Sequence, residues 1–433
     1  MTKIPAVMLT ALALAAISPR PSAAADAAWD ACKAQPTRAC VLDLAARDVA
    51  ADNDPYEKAF ILADLGAARL KAGLRQDADQ DFAQAEQAAD HALGDVMRGG
   101  ALDGLAIVLA RAGEIDAATR IEQRIGGGYP DQGWAAIAVA TGKAGQSKQA
   151  EAIVTQAFER ARALDNGYLT FGALRAVAEA QRALGLAEGV AETERLALKA
   201  ALTGPDPKRH DYDLGRLADE QATAGDFEAA LRTAGLIEEP QARASAMVEL
   251  ERAEAAAGKL DDAARLASTV DGPFRLRALT LLAWTQFKAG AADKAAATTA
   301  SARAIVTATT DGHDKALDLA QIAALEAELG DAKAADADFA QARLPLAGLP
   351  DSARVDLAAA IGVALAAAGR TDDALALLPE AGDGFRHDGL LIETSLAQTR
   401  AGDRAGALAA LEQVTDRPLQ ARMLEDLAGT LTQ

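Results

Sequence analysis

The chain has 433 residues and a formal net charge of −19 at pH 7. This acidic balance argues against nucleic acid and anionic membrane surfaces as partners. Half of the residues are apolar but only 4% are aromatic, so much of the core must be closely packed alanine. Long runs of β-branched residues with period-two alternation are absent from the sequence, which argues against a β-sheet.

The N-terminus is typical of a secretory signal. Lys3 is followed by an apolar stretch over 7–17 and by small residues at 22–25. We expect residues 1–25 to be a signal peptide and the mature chain to be periplasmic or secreted. The apolar stretch is too short to span a bilayer stably, and no later stretch is long enough. Cleavage of this signal would remove two basic residues, Lys3 and Arg20, and no acidic residue, so the net charge would change from −19 to −21.

Residues 26–50 are expected to form an N-terminal helical cap. This segment contains Cys32 and Cys40, the two cysteines of the chain, with seven residues between them. In an oxidising compartment such a pair can close a disulfide between two short helices. The alternatives are two reduced structural thiols or two ligands of an incomplete metal site. The signal favours the disulfide, and its expected role is to hold the exposed start of the fold.

A repeat governs the rest of the chain. A small residue is followed seven positions later by a glycine, and an alanine stands five positions after most of these glycines. The period is 32 to 40 residues, which is typical of repeat architectures. The ten turn glycines are Gly73, Gly113, Gly145, Gly185, Gly225, Gly258, Gly290, Gly330, Gly369 and Gly402.

Each repeat is predicted to be a pair of antiparallel helices. In the first repeat, Leu62, Leu65 and Gly66 form one stripe of an amphipathic helix A. Gly73 ends that helix, and the alanine at Ala78 faces back from helix B. Five repeats are long, and their extra residues either lengthen helix B or form loops. They follow Gly73, Gly145, Gly185, Gly290 and Gly330.

This pattern resembles the tetratricopeptide repeat (TPR), in which an aliphatic-small pair, a turn glycine and a following alanine hold the same relative places. The resemblance covers residues 54–433, although most repeats lack the aromatics of that family; Phe82 and Phe339 occupy the matching place. It implies an all-α, right-handed superhelical solenoid over residues 51–433, with about ten repeats. An eleventh helix A over 418–431 is expected to cap its C-terminal end.

A basic group recurs fifteen residues before the turn glycine in eight of ten repeats. It could pair with acids or carbonyls at the end of the preceding helix B, which would be a structural role. Alternatively, it could form a ladder of cations that holds an acidic or extended ligand; repeats usually repeat interface residues, which favours the structural role. The eight residues are Lys58, Arg98, His210, Arg243, Arg275, Lys315, Arg354 and His387.

A candidate binding site is formed by Arg252, Arg277, Trp284 and Phe287. By analogy with TPR geometry, helix A lines the concave surface, and these side chains would face it. Trp and Arg are favoured as interface anchors. The alternative for Trp284 is a place in the core. Most other positions expected on this surface are Ala or Gly.

The sequence carries no recognised catalytic or metal-binding motif. Gly126-Gly127-Gly128 lacks the lysine and strand of a phosphate cradle and is predicted to be a loop. We therefore expect a non-enzymatic scaffold without a cofactor, which binds a protein or peptide in the bacterial envelope. The runner-up is a helical-toroid enzyme or glycan-binding protein, and the third hypothesis is a purely structural subunit of an envelope assembly.

Overall fold

The computed structural model describes residues 23–51, 54–125, 132–164, 167–204, 206–272, 274–310 and 312–431. These residues form 23 α-helices and one short 3-10 helix. The prediction of an all-α repeat protein is confirmed. Most of the expected signal peptide, and the predicted loop at 126–128, lie outside the described residues. Within them, no helix combines the length and apolarity needed to cross a membrane.

The chain begins with α1 (Ala23–Ala34) and α2 (Arg38–Ala51) and continues as alternating helices A and B. The A helices are α3 (Pro55–Lys71), α5 (Gly94–Arg111), α7 (Gln132–Lys143), α9 (Gly167–Ala183), α11 (Pro207–Thr223), α13 (Pro240–Ala256), α15 (Phe274–Lys288), α17 (Gly312–Glu328), α19 (Asp351–Ala367), α21 (Phe385–Ala401) and α23 (Arg417–Thr430). The B helices are α4 (Arg75–His91), α6 (Ile115–Glu122), α8 (Ser147–Ala163), α10 (Ala187–Thr203), α12 (Phe227–Ala234), α14 (Leu260–Thr269), α16 (Ala292–Ala308), α18 (Ala332–Arg343), α20 (Thr371–Leu375) and α22 (Arg404–Leu411).

The turn glycines end the A helices as the sequence predicts. All ten have positive φ angles, between 74° and 88°, a region that side chains with a Cβ disfavour. In the first repeat the Gly73 N–H donates to the Leu70 carbonyl at 3.0 Å, and the Leu74 N–H donates to the Arg69 carbonyl at 2.9 Å. This turn satisfies carbonyls that a helix end would otherwise leave unpaired.

The small residue of helix A makes room for helix B. A Cβ added to Gly66 would lie 2.8 Å from the ring of Phe82 on α4. Other repeats carry alanine there, and Ala106, Ala138 and Ala323 are fully buried. The long repeats differ mainly in helix B: α4, α8, α10 and α16 have 17 residues each, whereas α6, α12 and α22 have 8. In four of the five long repeats the extra residues thus lengthen helix B; in the fifth, α18 has 12 residues and is followed by the 3-10 helix Leu344–Gly348.

The chain closes on itself. The C-terminal α23 packs against α2 as an A helix packs on its own helix B, and it also contacts α3, the helix A of the first repeat. Trp29, Leu42 and Leu424 belong to one buried cluster, although they come from opposite ends of the chain. The N-terminal α2 therefore serves as helix B of an eleventh repeat whose helix A is α23.

Polar contacts hold this junction, which we call the seam. The Arg38 guanidinium donates to the carbonyls of Ala428 and Leu431, at 3.1 and 2.5 Å. It satisfies the end of α23, where the other A helices use a glycine turn. A second contact, between α1 and α22, is the ion pair of Lys33 with Glu412 at 2.8 Å.

The expected caps at the two chain ends are helical, but their role differs from the expectation. An open superhelix needs one cap at each end, whereas here α1, α2 and α23 pack together and leave neither end of the stack uncovered. Cys32 and Cys40 form the expected disulfide, with their Cα atoms 5.7 Å apart. Cys32 is buried in the cluster at the seam, so the disulfide fixes α1 at this junction.

Candidate functional site

The A helices form the inner layer of the ring. Neighbouring A helices contact each other around most of the ring, while each helix B packs on its own helix A and on the next one. At the usual interaxial distance of about 8–10 Å, eleven A helices close a circle about 30 Å across. Subtracting one helix diameter leaves a lumen about 20 Å wide. Its wall consists of the A-helix side chains that face away from the B helices.

The structure brings Arg252 and Arg277 together on this wall. Arg252 on α13 donates to Glu249 at 2.8 Å, and Arg277 on the neighbouring α15 donates to the same carboxylate at 3.1 Å. Both arginine side chains remain more than half exposed. Glu249 thus fixes two cations across the junction of two repeats, and each guanidinium keeps donors free for a ligand.

Trp284 and Phe287 lie on the same helix as Arg277. They are 39% and 38% exposed, so neither is a core residue, and the alternative of a buried Trp284 is wrong. The Trp284 indole N–H donates to Glu328 on α17 at 3.4 Å, and the Lys288 ammonium lies 5.5 Å from the ring centre. These contacts orient the indole, which remains partly exposed. We call Arg252, Arg277, Trp284 and Phe287 the aromatic patch.

Seven of the eight repeated basic residues make one of two kinds of contact. Four of them bond to a carbonyl at the end of the preceding helix, as the structural interpretation expects: Lys58 to Ala50, His210 to Gly204, Arg243 to Ile237 and Arg275 to Val270, at 3.0 to 3.4 Å. Three others contact an aspartate of their own helix: Arg98 with Asp95, Arg354 with Asp351 and His387 with Asp388.

Lys315 is the eighth member and forms no ion pair in the part of the chain that the structure describes. Thr170, one of the two exceptions to the basic pattern, donates to the Leu164 carbonyl at 3.1 Å. A neutral side chain can therefore fill the same place. That these residues also hold a ligand stays a prediction.

A second cleft on the inner wall was not predicted. Its volume is about 260 Å³, and it is lined entirely by α5, α7 and α9, so it opens toward the lumen. Arg111, Lys143, Arg175 and Glu179 line it together with apolar residues that include Ile107 and Val139. Six of its thirteen lining residues are alanine, in keeping with the expected surface, but the expectation did not include the charged residues. Aligning the residues two positions before each turn glycine would have revealed two of these cations.

A third cleft, of about 470 Å³, lies at the seam between α2, α3 and α23. Asp64, Glu425 and Asp426 line it together with Arg38. Burial raises the pKa of the Glu425 carboxyl to about 9, and the charges of Asp64 and Asp426 add to this effect. Glu425 is therefore protonated at neutral pH, which lowers the repulsion across the seam.

Glu251 is the one residue that breaks the small-residue series with a charge. It lies on α13, is fully buried, and neither of its carboxyl oxygens has a hydrogen-bond partner in the described chain. Burial raises the pKa of Glu251 to about 8, and the charges of Glu254 and Glu249 raise it further. In the described residues, no three His, Cys, Asp or Glu side chains are placed to hold a metal ion.

These features define a helical repeat protein whose repeats close into a ring. No protein-family model matches the chain, and no curated protein sequence matches it. Among solved structures, Ton1535 from Thermococcus onnurineus NA1 is 12% identical with a TM-score of 0.30; the match covers 84% of this chain and 98% of that one. A circular tandem repeat protein with novel repeat topology and enhanced subunit contact surfaces is 13% identical with a TM-score of 0.17, covering 94% and 89%. Neither likeness bears on function.

Proposed function

We propose that this chain is an exported, TPR-like ring that binds a protein or peptide at the aromatic patch. The observation that carries the proposal is the exposure of Trp284 and Phe287 on α15, the helix that also carries Arg277, one of two arginines held by a single glutamate. Aromatic rings and arginines dominate binding energy at protein interfaces. Fixing them before binding reduces the conformational entropy that association loses.

The ring form supports a binding role for the inner wall. Most A helices pack between two neighbouring A helices, so the side chains of the wall are presented at regular intervals from one repeat to the next. The TPR-like pattern and the N-terminal signal point to a scaffold in the bacterial envelope. No catalytic step is assigned to it.

The test is crosslinking in cells of the tagged, exported chain, followed by mass spectrometry of what co-purifies. We expect one dominant envelope protein, which is lost from the double variant W284A/F287A. The matched control is L231A/L344A, which removes two exposed apolar side chains, 47% and 76% accessible, from helix B α12 and from the short 3-10 helix after α18. Equal loss of the partner in both variants, or no partner above background, would contradict the proposal.

A glycan ligand is the second candidate, because Trp284 presents a partly exposed indole inside a closed ring. Sugar rings stack on indole rings, and arginine and glutamate side chains hydrogen-bond to hydroxyl groups. Titration with envelope oligosaccharides distinguishes the two candidates. Binding that W284A abolishes, without a protein partner in the crosslinking experiment, would favour the glycan.

A further inference from the structure

A row of basic residues follows the inner wall at one level of the ring. Two positions before the turn glycine, the first three repeats carry Lys71, Arg111 and Lys143, and the tenth carries Arg400. All four side chains are exposed, and none forms an ion pair with another residue of the described chain. We call Lys71, Arg111, Lys143 and Arg400 the cation arc. Lys71 lines the cleft at the seam with Asp64 and Asp426, and Arg111 lies near enough to Asp64 to influence its carboxyl group, but neither cation pairs directly with these acids.

Helix stability alone does not explain the arc. A cation in the last turn of a helix is favoured by the helix dipole. However, other A helices carry Ala183, Thr223, Ala256 or Glu328 at this position and are just as regular. Of the five basic residues at this position, four lie in the repeats on either side of the seam, and the fifth, Lys288 of the seventh repeat, lies over the Trp284 ring.

The geometry indicates a shared ligand. Arg111 and Lys143 line the same cleft, together with the apolar Ile107 and Val139. Neighbouring A helices pack about 8–10 Å apart, so the cations of consecutive repeats are separated by a similar distance. Three residues of an extended polypeptide span about 10 Å. An acidic side chain at every third residue would therefore meet one cation per repeat.

We propose that the cation arc binds an extended acidic segment of a polypeptide along the inner wall. The aromatic patch is centred on the seventh repeat and lies on the opposite side of the eleven-repeat ring from Arg111. The proposal holds whether or not that patch binds a ligand. A polypeptide is favoured over nucleic acid because the lining of the cleft around Arg111 and Lys143 includes no aromatic side chain on which a base could stack.

The experiment uses the full mature chain and a fluorescein-labelled poly-L-glutamate of about 20 residues, long enough to span several repeats. Fluorescence anisotropy is measured at about 20 mM and about 200 mM salt, because ion pairs weaken as salt screens them. We expect binding at low salt that weakens at high salt. In K71A/R111A/K143A the Kd should rise between about threefold and about a hundredfold, as expected for three exposed ion pairs.

The matched control is K148A/K199A/K333A, which removes three exposed lysines from B helices and changes the net charge equally. We expect its Kd to stay within about twofold of wild type. Absence of binding at low salt, equal weakening in the control, or tighter binding of a single-stranded DNA of the same length would overturn the proposal. Loss of binding in W284A/F287A would also overturn it, because the arc would then not be a separate site.

Discussion

Closure of the ring can be tested by changing a buried residue near the N-terminus and measuring how often the C-terminal helix opens. Leu42 on α2 is fully buried in the cluster that also contains Leu424 of α23. Leu42→Ala should lower the free energy of unfolding of the seam by about 2–5 kcal/mol, as other buried Leu→Ala changes do. Because α2 is the helix B partner of α23, this loss should increase opening of the C-terminal helix.

Hydrogen exchange with mass spectrometry measures that opening. A loss of 2 kcal/mol multiplies the opening equilibrium by about 30, since each 1.4 kcal/mol is tenfold. We therefore expect the amides of α23 to exchange at least about thirtyfold faster in Leu42→Ala than in wild type, although α23 lies more than 370 positions after Leu42 in the chain. In an open solenoid only the neighbours of α2 in sequence would respond.

The matched control is Leu214→Ala on α11, where the leucine is 1% exposed and belongs to a different buried cluster. It should destabilise the fifth repeat by a similar amount and leave local exchange in α23 unchanged. If Leu42→Ala lowers stability but α23 exchanges at the wild-type rate, the packing of α2 on α23 is wrong and the ring is open in solution.

Three further predictions concern stability. Replacing Cys32 and Cys40 by serine should lower the free energy of unfolding by about 2–3 kcal/mol, the value expected for so short a closed loop; thermal unfolding with and without reductant measures it. The raised pKa of Glu251 means that its stabilising contribution is complete below its unfolded pKa and is lost as pH rises to about 8. Wild type should therefore lose about 1.4 kcal/mol per pH unit relative to Glu251→Gln in that interval, as urea denaturation at pH 5 and pH 8 would show. Gly66→Ala should cost about 1–3 kcal/mol because its methyl group meets Phe82, and Phe82→Leu in the same chain should restore part of the loss in Tm.

The helix pairs could be predicted from sequence because their signals are local. The turn glycine and the small residue of helix A each act within one repeat, and they recur in nearly every repeat. The seam is different. Whether eleven helix pairs return to their starting point depends on small angles between repeats that accumulate around the ring. Arg38 and Ala428 lie 390 positions apart, and no local pattern joins them.

In the structure α23 and α2 pack together and form one complete repeat. Part of the candidate site could be predicted from the sequence, because Trp284 and Arg277 could be assigned to a surface. Their link through Glu249 and Glu328 crosses between repeats, and only the structure shows it.

The positions that vary between repeats are the ones available for binding. The small residue and the turn glycine recur because packing requires them, whereas the residue six positions before the glycine is Ala67 in the first repeat, Arg252 in the sixth and Trp284 in the seventh. Packing leaves this position free, so its chemistry is open to selection for a ligand. Closure adds a geometric constraint that an open solenoid lacks, because a ring cannot change the distance between opposite walls by bending at one junction. A ligand that reaches both the aromatic patch and the cation arc must therefore span a fixed width of about 20 Å, and its length becomes a criterion for recognition.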